Sequence, residues 1–121
     1  MTLDLRGGQA SLPGDRNRNA DTALKLLLQG RSAETVLDHC SRRLQPLLFS
    51  DKQKKTEYVK TLRTYLENNN DLLHTSKVLY VHRNTVIQRM KKISELLGVN
   101  VNDPAATNEF YNIFQILDYF Q

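Results

Sequence analysis

A chain of 121 residues, 40% apolar and 25% charged, has the size and composition of one soluble domain with a single modest core. No run approaches the ~20 apolar residues of a membrane span, and the longest, "ALKLLL", is broken by Lys25, so no membrane partner is expected. One cysteine, Cys40, excludes an internal disulfide framework and any multi-cysteine metal site and fits a cytoplasmic chain, while a net charge of +4 directs attention to where the positive residues cluster.

Residues 1–20 mix Gly, Pro and polar side chains without an apolar period or the apolar stretch of a signal peptide, and read as a flexible leader or linker. Residues 21–121 read as one helical domain. Asp21 is placed to cap a short helix through "TALKLLLQ", ended by Gly30. Ser32 caps a second helix, "AETVLDHCSRRL", whose Val36, Leu37, Cys40 and Leu44 share one face, and Pro46 is expected to stop it. Cys40 on that stripe reads as a buried thiol. A third helix is expected from Ser50 or Asp51 to about Asn69, with Tyr58, Val59, Leu62, Tyr65 and Leu66 on its core face. Asp71 caps a short fourth helix, "LLHTSKVL"; "YV" makes a tight connection; a fifth helix runs from about His82 to Leu97 and closes at Gly98. Asp103-Pro104 opens a last helix with Phe110, Ile113, Phe114, Leu117 and Phe120 in a stripe that suits a core or a dimer contact. No strand pattern is present. The fold class is all-α, about six helices.

Charge separates along this map. From Leu72 to Ile93 stand Lys77, Arg83, Arg89, Lys91 and Lys92 with no acid, and from Ser94 onward stand Glu95, Asp103, Glu109 and Asp118 with no base. A short helix, a tight turn and a longer helix rich in basic and amide side chains, over about 71–97, is the helix-turn-helix plan. Small Thr75 and Ser76 lie where the second helix must approach the first, Leu79 and Val81 bracket the turn, and Val86, Met90, Ile93 and Leu97 line one side of the second helix.

With Val86 at the centre of the buried side and ~100° per residue, Asn84, Gln88, Lys91 and Glu95 point to the opposite side. Arg83 and Ile87 lie on one flank, and Thr85, Arg89 and Lys92 on the other. Arg matches guanine O6 and N7, and Asn or Gln matches adenine N6 and N7. Arg83, Asn84 and Gln88 are therefore the expected base contacts in double-stranded DNA, with Ile87 available to a thymine methyl. His82, Thr85, Arg89, Lys91 and Lys92 are the expected backbone contacts, since phosphates need charge without planarity. His82 is either a helix-start residue, for which it ranks poorly, or a backbone contact. One recognition helix reads only a few base pairs, so a homodimer is expected.

The stretch "TLRTYLENNNDLLHTSKVLYVHRNTVIQRMKKISELLGVNVNDP" resembles the C-terminal helix-turn-helix domain of the PucR/CdaR family of bacterial transcriptional regulators. Leu79 to Gly98 is similar nearly residue for residue to the pattern L-x-V-H-R-N-T-V-x-x-R-[LM]-x-x-I-x-x-L-L-G, and the helix pair also resembles the Fis type. The resemblance covers roughly residues 23–118. It departs at Ser76, where alanine is usual in the tight helix contact, and at Leu73, where a polar residue is common. It implies a sequence-specific DNA-binding domain whose effector-sensing region is absent from this chain.

The competing class is a helical protein-interaction or dimerisation module, favoured by the aromatic C-terminal stripe and the acidic balance after Ser94. It would leave Arg83, Asn84 and Gln88 idle. Neither an enzyme nor a cofactor or metal is expected: His39, His74 and His82 have no companion carboxylate or thiol at ligand or triad spacing.

Overall fold

The computed structural model describes residues 22–120, and every regular element among them is a helix. The expected leader over 1–20 and the expected cap at Asp21 lie outside these residues. In chain order the helices are α1 (Thr22–Leu28), α2 (Ala33–Lys54), α3 (Tyr58–Glu67), α4 (Leu72–Leu79), α5 (Arg83–Leu97) and α6 (Pro104–Tyr119). The all-α reading holds, with six helices among the described residues.

Ser32 starts α2 as expected, its Oγ accepting the Thr35 N–H at 3.2 Å. Pro46 does not stop it. The helix continues eight residues further, to Lys54, with Pro46 inside. Proline's fixed φ suits a helix, but the missing donor and the ring's crowding of the preceding turn cost about 3 kcal/mol. Leu44 and Leu47, buried on either side, each contribute roughly 1.5–3 kcal/mol on burial and hold both halves of the helix to the core. Packing outweighs the break.

The third helix consequently begins later than expected, at Tyr58 and not at Ser50 or Asp51. Asp51 nevertheless caps it. From the last turn of α2 its carboxylate accepts the Tyr58 N–H at 2.8 Å, the Val59 N–H at 3.1 Å and the Thr56 hydroxyl. Asp51, expected only as a place for the helix to begin, thus caps α3 across the bend between two helices. Asp103 stands at the start of α6 before Pro104, as expected, without a side-chain capping bond.

The core joins Val36, Cys40 and Leu44 of α2, Leu62, Tyr65 and Leu66 of α3, Val86, Met90, Ile93 and Leu97 of α5, and Phe110, Ile113 and Phe114 of α6. Burial pushes the Cys40 thiol up to about 11, so it is a packing group and not a thiolate at neutral pH. Between α5 and α6, Val101 plugs the core and the Tyr65 hydroxyl donates to Asn102 Oδ1 at 2.6 Å, which pins the loop. Two cross-ties secure α6: Arg43 of α2 to Glu109, and Arg63 of α3 to Asp118. Within this frame α5 packs on α2, α3 and α4.

Candidate nucleic-acid interface

Residues 71–97 form a helix-turn-helix. Asp71 caps α4, its Oδ1 accepting the His74 N–H at 2.9 Å. Thr75 and Ser76 are buried in α4, which packs on both α3 and α5, and their hydroxyls donate at 2.7 Å to the carbonyls of Asp71 and Leu73. A serine so satisfied within its own helix presents little more bulk than alanine, which accounts for Ser76 in the tight contact. Leu73 is exposed and takes no part in it.

The turn closes by two backbone bonds. Val81 N–H reaches back to the Ser76 carbonyl at 3.1 Å, and Tyr80 N–H to the Lys77 carbonyl at 3.3 Å. Val81 is partly buried against the core, and Leu79 is half-buried. Tyr80 is the residue that sequence reasoning passed over as mere connection. It has φ 58° and its side chain is 94% exposed. Its signal was available: an aromatic residue occupies a helix end where glycine or asparagine is the usual choice.

His82 is the cap of α5. Its Nδ1 accepts the Asn84 N–H at 2.9 Å, so the imidazole does the work that Ser or Asp normally does at this position. Of the two sequence-based readings for His82, the helix-start role is present, and Nε2 is left for an outside partner. Gly98 ends the helix in left-handed backbone.

The rotation of α5 follows the sequence assignment. Val86 is 0% exposed and Met90 5%, with Ile93 and Leu97 also buried. Arg83, Asn84, Ile87, Gln88, Lys91 and Lys92 are exposed, and Ile87 is 42% exposed although it adjoins Val86. Thr85 and Arg89 are half-buried at the flank. Arg89 differs from the other cations: its guanidinium turns toward α3, with Nη1 3.2 Å from Thr61 Oγ1 and 3.7 Å from Glu57 Oε1. Lys92 Nζ lies 3.7 Å from Glu95, with both side chains exposed, an arrangement that water and salt screen readily. Lys77 of α4 is exposed on the side chain's own helix end, one turn before the connection.

The surface is thus a helix N-terminus bearing planar hydrogen-bonding groups, followed by cations, on a rigid support. It suits a polyanion with readable edges. Among the described residues no group of His, Cys, Asp and Glu could hold a metal, and no helix is long and apolar enough to cross a membrane.

Residues 58–112, from the start of α3 into α6, match the family model of the PucR C-terminal helix-turn-helix domain. This segment belongs to the PucR helix-turn-helix family. Its PucR-type domain is all-α and is of the DNA-binding kind found in transcriptional regulators. The purine catabolism regulatory protein of Bacillus subtilis (strain 168) is 45% identical over 60 residues, covering 50% of this chain and 11% of that protein. The proline-responsive transcriptional activator PutR of the same organism is 33% identical over 67 residues, 55% of this chain and 16% of its own length. The carbohydrate diacid regulator of Escherichia coli (strain K12) is 31% identical over 83 residues, 69% of this chain and 21% of the regulator. The aligned stretches therefore span about a tenth to a fifth of these relatives. No solved structure gives a significant match.

Proposed function

We propose that this chain binds double-stranded DNA in a sequence-specific manner, with α5 lying in the major groove and Arg83, Asn84, Ile87 and Gln88 reading base edges. The observation that carries this reading is the sidedness of α5. Its polar and basic positions are exposed while Val86, Met90, Ile93 and Leu97 are in the core, and the exposed set begins at the helix N-terminus, where helix-turn-helix proteins contact bases. The alternative of a protein-interaction module loses its main support, because Phe110, Ile113 and Phe114 of the aromatic stripe are buried within the domain.

The proposed function is regulation of transcription by a homodimer whose two copies of α5 enter successive major grooves, about 34 Å apart or a multiple of that. Effector sensing is assigned to sequence beyond these six helices, since the relatives are many times longer than the aligned stretches. The compartment is the one that holds the DNA, the bacterial cytoplasm.

Arg83→Ala is expected to cost about 1–3 kcal/mol on a duplex selected from a random pool and to relax preference at one base position. Gln88→Ala should show a smaller loss of the same kind. Anisotropy titrations against selected and random duplexes decide the point, and equal weakening on both would reduce Arg83 to a phosphate contact.

The backbone contacts separate by geometry. Lys91→Ala and Lys92→Ala are each expected to weaken all duplexes alike and to lower the slope of log affinity against log salt by roughly 0.9. Arg89→Ala should change that slope less, because its guanidinium is already held by Thr61 and Glu57. A slope left untouched by the Lys91/Lys92 double variant would place this end of α5 off the duplex.

A further inference from the structure

Three other helices close by the same paired backbone bonds as α4. Gly30 takes the left-handed place after α1, Asn69 with Asn70 after α3, and Gly98 after α5. Glycine has no Cβ to clash there and asparagine tolerates the conformation, whereas a tyrosine is strained. Lys55, ending α2 at φ 56°, is the other bulky exception. Yet the fold gives Tyr80 nothing in return. Its ring is 94% exposed, and its phenol has no hydrogen-bond partner among the described residues. Tyrosine normally lays its apolar body against something, and a strained backbone kept without an internal contact points outward to function.

We propose that Tyr80 is a further DNA-contacting residue, whose phenol O–H donates a hydrogen bond to a backbone phosphate at the edge of the groove that α5 enters. This rests on the DNA-binding reading of α5. Tyr80 precedes Arg83 by three residues, so docking the start of α5 against base edges brings the turn over the rim of the groove, where phosphates run. Exposed Lys77, whose carbonyl accepts the Tyr80 N–H, stands one turn earlier on α4 and supplies charge to the same strand. The left-handed backbone is what aims the ring away from the core, because a residue continuing the helix would direct its side chain elsewhere. Tyr80 is a positioning residue: it fixes the register of α5 on the duplex and reads no base.

A phenol is neutral, so its contact displaces no counterion, and this separates it from every lysine or arginine contact. The test uses Tyr80→Phe and Tyr80→Gly with a duplex selected by the wild-type chain and a random duplex of equal length. Tyr80→Phe keeps the ring and the backbone strain and removes only the hydroxyl. Tyr80→Gly removes the strain as well. Both are expected to bind about 3- to 10-fold more weakly to each duplex, with the salt slope unchanged. Tyr80→Gly should melt at or above the wild-type temperature, which excludes misfolding as the cause. Wild-type affinity in Tyr80→Phe, or a lowered salt slope in either variant, overturns the phosphate contact. Should the wild-type chain bind neither duplex in a salt-sensitive way, the reading of α5 falls, and this proposal with it. If the wild type binds and both variants equal it, only the role of Tyr80 falls.

Discussion

Met90→Ala is expected to lose about 2–5 kcal/mol of folding stability. Met90 is 5% exposed and lies in the core with Leu62, Leu66 and Val86, so the truncation leaves a void that a core built on several helices cannot fully close. In a domain whose total stability is of the order of 5–15 kcal/mol, a thermal melt should shift by about 8 °C or more, at about 4–8 °C per kcal/mol. Ile87→Ala, one helical step beyond Val86 but half in solvent, should cost no more than ~1 kcal/mol. The pair forms a rotational gauge for α5. If Ile87→Ala proved the more damaging to the melt, the helix would be turned from its described orientation, and Asn84 and Gln88 would leave the exposed side.

Arg43→Ala is expected to cost about 2–4 kcal/mol. Glu109 of α6 is almost fully buried, its side chain 6% exposed, and the Arg43 guanidinium meets it with two bonds, Nη2 to Oε1 at 2.9 Å and Nε to Oε2. The same guanidinium sits 5.1 Å from the centre of the Phe110 ring. The hydrogen bond to Glu109 is the leading reason that the Arg43 proton is held more tightly than usual. Removing the arginine strands a carboxylate in the core, and that uncompensated charge dominates the loss. The figure is set below that for a fully enclosed pair because the Arg43 side chain retains access to solvent. The double variant Arg43→Met with Glu109→Leu should recover most of the stability, since an apolar pair of similar volume leaves no charge behind. A double variant as unstable as Arg43→Ala alone, by chemical denaturation, would show that packing around Phe110 and not the charge is what was lost.

The helix-turn-helix was legible because its determinants are local. Asp71 caps three residues ahead of its bonded amide, Val86, Met90, Ile93 and Leu97 repeat at helical spacing, and Gly98 ends the run. What the sequence did not disclose has tertiary causes. Pro46 is a stop signal only where no packing opposes it, and the burial of Leu44 and Leu47 opposes it. Asp51 serves amides seven and eight residues away, across a bend, so its position marked a helix start without giving the place. Arg89 is an expected backbone contact from its charge and its place on the flank of α5, and its internal partners could not be read from the sequence. Its ties to Thr61 and Glu57 join residues 28 and 32 positions apart, which no local spacing reveals. His82 was ranked low as a cap by residue type, yet a ring nitrogen serves well once the backbone brings the Asn84 amide within reach.

The packing of α5 on α2, α3 and α4 has a consequence for how this surface behaves in time. A recognition element at the edge of a fold can fray and order itself only on contact with a partner. Here the same backbone carries the exposed side chains and the centre of the core, so α5 opens only when the whole domain opens. Its core-facing amides should exchange with solvent at the rate of global unfolding. The exposed groups at 83, 84, 87 and 88 are therefore displayed on a backbone whose conformational freedom was lost at folding, and a partner that docks there has only side-chain rotamers left to order.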